Sequence, residues 1–250
     1  MILRRVIEHF RKQEWTAIAL DFLIVVVGVF IGIQVANWNE ARVERIAEER
    51  YLTRLYADTQ ANLAELEQLV SVHERRGAVL AAMERALLTG GEAPPAADLH
   101  GALCRFFVQP GVELQQTTYG ELVASGNLSI LRDEKLRILL SRQQAAQAEI
   151  ARDDILTPAI QRAAAPLEDY REWRIAAEPD KIFGGVDCIF DIDGMRADPR
   201  IPSVMAQLYR NQYTVGRFRK RVLDITLELD ARLRELMAEE NIPFAEEPAP

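Results

Sequence analysis

The hydrophobic positions of this chain follow two different patterns. From Thr16 to Ala36 the apolar residues are almost unbroken: thirteen of these 21 positions are Ile, Leu, Val or Phe, and Asp21 is the one charge. Beyond Trp38 the pattern turns into stripes at helical spacing, with Leu52, Leu55, Leu63, Leu66 and Val70 marking one face. A second long periodic stretch runs through "SILRDEKLRILLSRQQAAQAEIARDDILTPAIQRAAAPLEDYREW", with kinks or breaks expected near Pro158 and Pro166. A third is "MAQLYRNQYTVGRFRKRVLDITLELDARLRELMAEE".

The first pattern predicts a membrane span. At 1.5 Å per residue it reaches about 31 Å, against a hydrocarbon core of about 30 Å. Its aliphatic and Phe side chains contribute about −4 to −8 kcal/mol to insertion, more than the ~3.5 kcal/mol cost of a central Asp. Trp15 and Trp38 sit one at each end, where indole rings favour the interface. "IQVANWNE" offers no convincing small-x-small cleavage site, so residues 16–38 read as an uncleaved signal anchor behind a basic tail, 1–15. The positive-inside count ties: Arg4, Arg5, Arg11 and Lys12 precede the span, and Arg42, Arg45, Arg50 and Arg54 follow it. A long following domain translocates largely regardless of its charge. The expected placement is therefore a bacterial inner membrane, with the N-terminus cytoplasmic and the domain periplasmic.

The second pattern predicts an all-α fold. The span continues as helix to about Leu88, where "TGGEAPPAA" stops it. A short helix runs from Asp98, as N-cap, to Val108. Another has Thr117 as its cap and closes at "SGN", with Gly126 suited to the left-handed position after a helix end. Residues 177–202 read as an irregular loop, and 241–250 as a disordered acidic tail. Helices with one apolar face each must bury those faces together, so 39–240 is expected to form an antiparallel extramembrane bundle.

On a helix Asp21, Val25, Gly28, Gly32 and Asn39 fall within about 40° of one line. Gly28 and Gly32 have the small-xxx-small spacing that lets two backbones approach, so Asp21, Val25, Gly28 and Gly32 form a candidate transmembrane interface. Asp21 then faces protein, protonated or paired. The alternative is a carboxylate near the cytoplasmic boundary that draws water into the headgroups. Gln34, Asn37, Trp38, Asn39 and Glu40 make a collar where the span leaves the bilayer. The polar members of that collar can satisfy one another, cap headgroups or hold a partner.

Charge narrows the function. With 30 Lys+Arg against 38 Asp+Glu the chain is acidic, which argues against nucleic acid as a partner. His9, His73 and His100 stand apart from one another and from Cys, so neither a metal site nor a cofactor is expected. "CIFDIDGMRADPR" has the D-x-D-G of a phosphatase nucleophile loop, but only helix-forming sequence follows it. As a calcium loop it places Ile189 and Arg200 where carboxylates are required. Cys104 and Cys188 are the only cysteines: either a bridge worth about 4 kcal/mol or two packed thiols. "RFRKR", 217–221, reads as a solvated rim, with a phosphate-binding patch as the alternative.

Two stretches carry a resemblance. "IVVVGVFIGIQVANWNEAR", with Asp21 ahead of it, resembles the opening of an uncharacterised bacterial family of single-span membrane proteins. That family shows an acid, an apolar run with glycine, and a Gln-x-Asn-Asn-Trp-Asn-Glu-like motif. Gln34, Asn37, Trp38, Asn39 and Glu40 match, and Ala36 departs from the first Asn. "TTYGELVASGNLSILRDEKLR" resembles its mid-chain signature at Tyr119, Glu121, Leu122, Ser125, Gly126, Asn127 and Leu128. An aromatic pair typical of the family is missing from "LLSRQQAAQ". The resemblance implies a bacterial membrane protein and supplies no activity. Tyr119, Glu121, Leu122, Ser125 and Gly126 then form either a docking corner of the bundle or a well-specified turn that packs Tyr119 and Leu122 inward.

The expected function is a non-catalytic membrane-anchored scaffold or sensor-like module. Its partners are membrane lipid and either a second copy or another membrane protein. The alternative is a proton-responsive subunit of a transport or stator-type complex, whose single span with one acid this chain resembles, using Asp21.

Overall fold

The computed structural model describes residues 15–104, 114–150, 157–175 and 186–244. The chain divides into two compact units, Met1–Arg50 and Tyr51–Pro250. Among the described residues there are seven α-helices and one two-stranded ribbon, an all-α fold. The first helix, α1 (Trp15–Thr89), contributes residues to both units.

In the second unit the last helix, α7 (Ile201–Glu239), is the reference for the others. Against α1 it runs antiparallel: Gln60 pairs with Asp230, His73 with Gln212, and Gly77 lies by the Tyr209 ring. Against α4 (Glu134–Ile150) it also runs antiparallel, with contacts from Asp133–Arg232 through Gln143–Thr226 to Glu149–Arg221. Rising numbers on one side meet falling numbers on the other, as knobs-into-holes neighbours do.

Three apolar clusters line this seam. One joins Leu52 and Leu55 to Tyr119, Leu122, Leu136, Leu229 and Leu233. A small one holds Leu66, Ala146, Val222 and Ile225. The third gathers Leu80 and Met83 with Leu103, Met195, Ile201, Met205 and Leu208. The stripe of α1 differs in one place from that expected. Leu63 is half-buried and Asn62 is buried instead, because the Asn62 side chain holds a neighbouring backbone.

That backbone leads into α3 (Thr117–Ala124). Thr117 is not its cap. Asn62 accepts from the Gln115 amide at 2.6 Å and donates to its carbonyl at 3.0 Å, and Asp58 accepts from the Thr118 amide at 3.2 Å. The caps come from α1, so no local sequence signal marks them. At the other end Gly126 adopts φ +71°, and the amides of Gly126 and Asn127 return to the carbonyls of Val123 and Leu122. This is the paired-bond stop that favours glycine.

Four further expectations are corrected. The helix α2 (Ala96–Leu99) starts after Pro95, so Asp98 is not an N-cap; a π-helical turn follows over His100–Cys104, and 105–108 lie outside the described residues. "LEDYREW" is not helix. After α5 (Thr157–Ala164) a 3-10 segment, Ala165–Tyr170, gives way to strand β1 (Arg171–Ile175), paired antiparallel with β2 (Val186–Phe190). The stretch 177–202 therefore contains a strand, the helix α6 (Ile192–Ala197) and the start of α7; 177–185 lie outside the described residues. Asp191, the D-x-D-G aspartate, caps α6 by accepting from the Gly194 amide at 2.9 Å. A Cβ on Gly194 would lie 2.4 Å from Asp191 Oδ2, so the glycine belongs to the cap.

The tail is ordered at its start. Asn241 takes φ 55°, and the amides of Asn241 and Ile242 return to Ala238 and Met237, the same stop with Asn in place of Gly. The Phe244 ring packs 5.5 Å from Tyr56; 245–250 lie outside the described residues, as do 1–14. Cys104 and Cys188 are joined as a disulfide with Cα atoms 5.8 Å apart, inside the third cluster.

Two outcomes follow for stability. Asp133 accepts from the Leu136 amide at 2.6 Å as N-cap of α4, and from Arg232 at 2.6 Å. Asp133→Ala should cost about 1–2 kcal/mol and lower Tm by about 2–8 °C in a thermal melt of the solubilised chain. Replacing both cysteines by Ala opens a cross-link spanning 84 residues and should cost about 4 kcal/mol in urea unfolding. An unchanged midpoint would mean that the bridge constrains nothing in the unfolded chain.

Candidate functional site

The predicted interface lies on the part of α1 in the first unit. Every described large apolar side chain from Leu20 to Val43 is exposed, Val25 at 63%. A Cβ on Gly28 or Gly32 would meet nothing within 4 Å. The segment has mean hydropathy 1.9 with none of it buried, long and apolar enough to cross a membrane. The side chain of Asp21 lies outside the described residues. In the collar Gln34, Asn37, Trp38, Asn39 and Glu40 are all exposed, and among the described residues none of their side chains makes a hydrogen bond. Their spacing sets them around the helix rather than on one side of it.

The corner motif belongs to the second unit. Tyr119 and Leu122 are buried in the cluster at this end of the bundle, while Ser125 and Gly126 are exposed. Glu121 reaches outward to α1, accepting from Arg54 at 2.6 Å and from the Tyr51 hydroxyl at 3.1 Å. These bonds hold its carboxyl below the usual range and raise the Tyr51 phenol. Each member of the motif therefore has a structural task.

A different arrangement lies midway along the same helices. Between residues 70–81 of α1 and 209–220 of α7 a groove of about 560 Å³ opens. Its floor contains His73 and Gln212, 3% and 2% exposed, at core positions of both helices. The Gln212 amide nitrogen meets His73 Nδ1. His73 Nε2 and Gln212 Oε1 are both buried and make no hydrogen bond. Such atoms cost about 1–3 kcal/mol each unless a partner arrives.

Two glycines shape the walls. A Cβ at Gly77 would stand 3.8 Å from the Tyr209 ring and one at Gly216 would stand 3.5 Å from His73 Cβ, both ordinary contacts. Each glycine costs about 1 kcal/mol of helix propensity relative to Ala. Tyr209 and Tyr213 stack at 6.3 Å with an interplanar angle of 23°, both partly exposed. Arg217 and Lys220 complete the groove, and Glu74 is its one acid.

Burial drives the His73 pKa down to about 3, and the charges of Arg219 and Arg76 push the same way. Both arginines are themselves buried. The imidazole is therefore neutral at ordinary pH, and with Nδ1 taken by the amide its proton sits on Nε2. Among the described residues no cluster of His, Cys, Asp or Glu could hold a metal ion.

The three histidines stand apart in the sequence and show no ligand spacing that would point to this site. A signal was present in the stripe itself: His73 continues the period of Leu66 and Val70, where a leucine was expected. A polar residue on a core stripe marks either a satisfied pair or a site. Here the pair is satisfied on one side only.

The depressed His73 pKa has a sign. Above pH 6.5 folded and unfolded chains both hold a neutral imidazole. As pH falls below 6.5 the unfolded chain takes up a proton that the folded one refuses until about pH 3, so stability is lost on acidification. Between pH 6.5 and 5 this amounts to about 2 kcal/mol. Urea unfolding of the solubilised chain at pH 7 and pH 5 should show that loss, and His73→Gln should remove most of it.

Compared with models of known protein families, with curated proteins and with solved structures, the chain matches none.

Proposed function

We propose that this chain is a single-pass, membrane-anchored helical module of the bacterial envelope that works by assembly rather than catalysis. One observation carries the reading: the apolar surface of α1 from Leu20 to Val43 is exposed on every side. A helix apolar all round is stable only where something other than water surrounds it. Lipid fits its length, and the Gly28–Gly32 face fits a second helix.

Sidedness is part of the same proposal. The basic tail stays in the cytoplasm, and the bundle stands in the periplasm. The Cys104–Cys188 bond supports that side, because disulfides persist in oxidising compartments and are reduced in the cytosol. The resemblance to single-span bacterial proteins rests on the sequence motifs and agrees with this placement.

The partner on the glycine face is a second copy of the chain or another membrane protein. Gly28→Cys and Gly32→Cys, oxidised in native membranes, should give cross-linked species on a non-reducing gel. Phe30→Cys, on the opposite side of the helix, should not. Equal cross-linking from all three positions, or from none, would remove the interface, and recovery of the chain in the soluble fraction would remove the anchor.

A further inference from the structure

We propose that the groove between residues 70–81 of α1 and 209–220 of α7 binds a planar aromatic carboxylate. It lies wholly in the second unit, so its occupancy is independent of what the span assembles with.

The size, shape and charge of the groove converge on that class. Its volume of about 560 Å³ falls within the range of small-molecule sites, about 300–1,000 Å³. One wall is flat because Gly77, Ala78 and Ala81 present little more than helix backbone. The other wall offers the stacked rings of Tyr209 and Tyr213. The Tyr209 ring already lies against Gly77, so a flat aromatic body stacks on the exposed faces of these rings, and aromatic rings favour offset stacking on one another. An alkyl chain gains nothing from ring geometry.

Charge selects the anion. Tyr209, Tyr213, Arg217 and Lys220 follow helical spacing along one face of α7, so the cations stand at one end of the ring platform. Among the described residues neither Arg217 nor Lys220 makes an ion pair. Arg76 and Arg219, buried near His73, add positive potential, and Glu74 is the single opposing charge in the lining. A carboxylate at the Arg217–Lys220 end would form charge-assisted bonds there.

The floor adds selectivity. His73 Nε2 carries a proton with no acceptor, and Gln212 Oε1 has no donor. A phenolic hydroxyl both donates and accepts, the two functions that these atoms lack. The site therefore favours hydroxylated aromatic acids over unsubstituted ones.

The test uses the full chain in a non-ionic detergent and three probes: 6-hydroxy-2-naphthoate, its neutral carboxamide and inorganic phosphate. Fluorescence anisotropy and titration calorimetry should show saturable binding of the naphthoate, at least tenfold weaker binding of the carboxamide, and no competition by equimolar phosphate. Arg217→Gln with Lys220→Gln, on an exposed rim, should weaken the naphthoate at least tenfold without moving the thermal melt. Tyr209→Leu with Tyr213→Leu should weaken naphthoate and carboxamide alike. Equal binding of naphthoate and carboxamide would overturn the proposal in favour of an apolar patch. Displacement by equimolar phosphate would overturn it in favour of a simple cationic patch. Naphthoate affinity unchanged in both double variants would place the binding elsewhere.

Discussion

The second unit depends on the register of α7. Both α1 and α4 are held against that one helix, and the polar contacts that fix the alignment are spread along it. Asp133–Arg232 and Gln60–Asp230 set one end, Gln143–Thr226 the middle, and His73–Gln212 the region beyond. Apolar side chains alone tolerate a slip of one turn, because a leucine meets another leucine after the shift. Hydrogen-bonding groups do not, since a slipped pair leaves two buried polar atoms without partners. Buried Thr226 illustrates this: its hydroxyl accepts from Gln143 and donates to the Val222 carbonyl.

The apolar clusters and the polar contacts alternate along this seam. Val222 and Ile225 belong to one cluster, Ile201 to Leu208 to another, and Gln212 and Arg219 lie between them. The interruption coincides with the groove. Packing is sacrificed there in both helices at once, by His73 and Gly77 on one and Gln212 and Gly216 on the other. These four positions depart from the leucine-like seam on adjacent turns of both helices.

Much of the architecture was legible because its signals are local. The long apolar stretch of α1 follows from composition alone, and the stops after Leu88 and at Gly126 follow from glycine's access to left-handed backbone. The failures share a different cause. Arg171–Ile175 becomes a strand only because Val186–Phe190 arrives to pair with it, and nothing within "REWRI" announces that partner. Thr117 looked like a cap, yet Asp58, 60 residues before Thr118, does the capping, and Asn62 holds the backbone just ahead of the helix. Asn241 looked like the start of a disordered tail because Asn replaces the expected Gly at the stop. His73 on the α1 stripe is the one local sign of the groove, because its walls come from two helices whose register no single stretch of sequence specifies.

The bond between Cys104 and Cys188 has a topological consequence. It closes the chain into a ring that carries α3, α4, α5 and both strands, while α1 and α7 leave the ring as its two open ends. A single backbone cut anywhere inside that ring leaves one covalent molecule. The α1 end and the α7 end stay tethered after such a nick, and only a reductant releases one from the other.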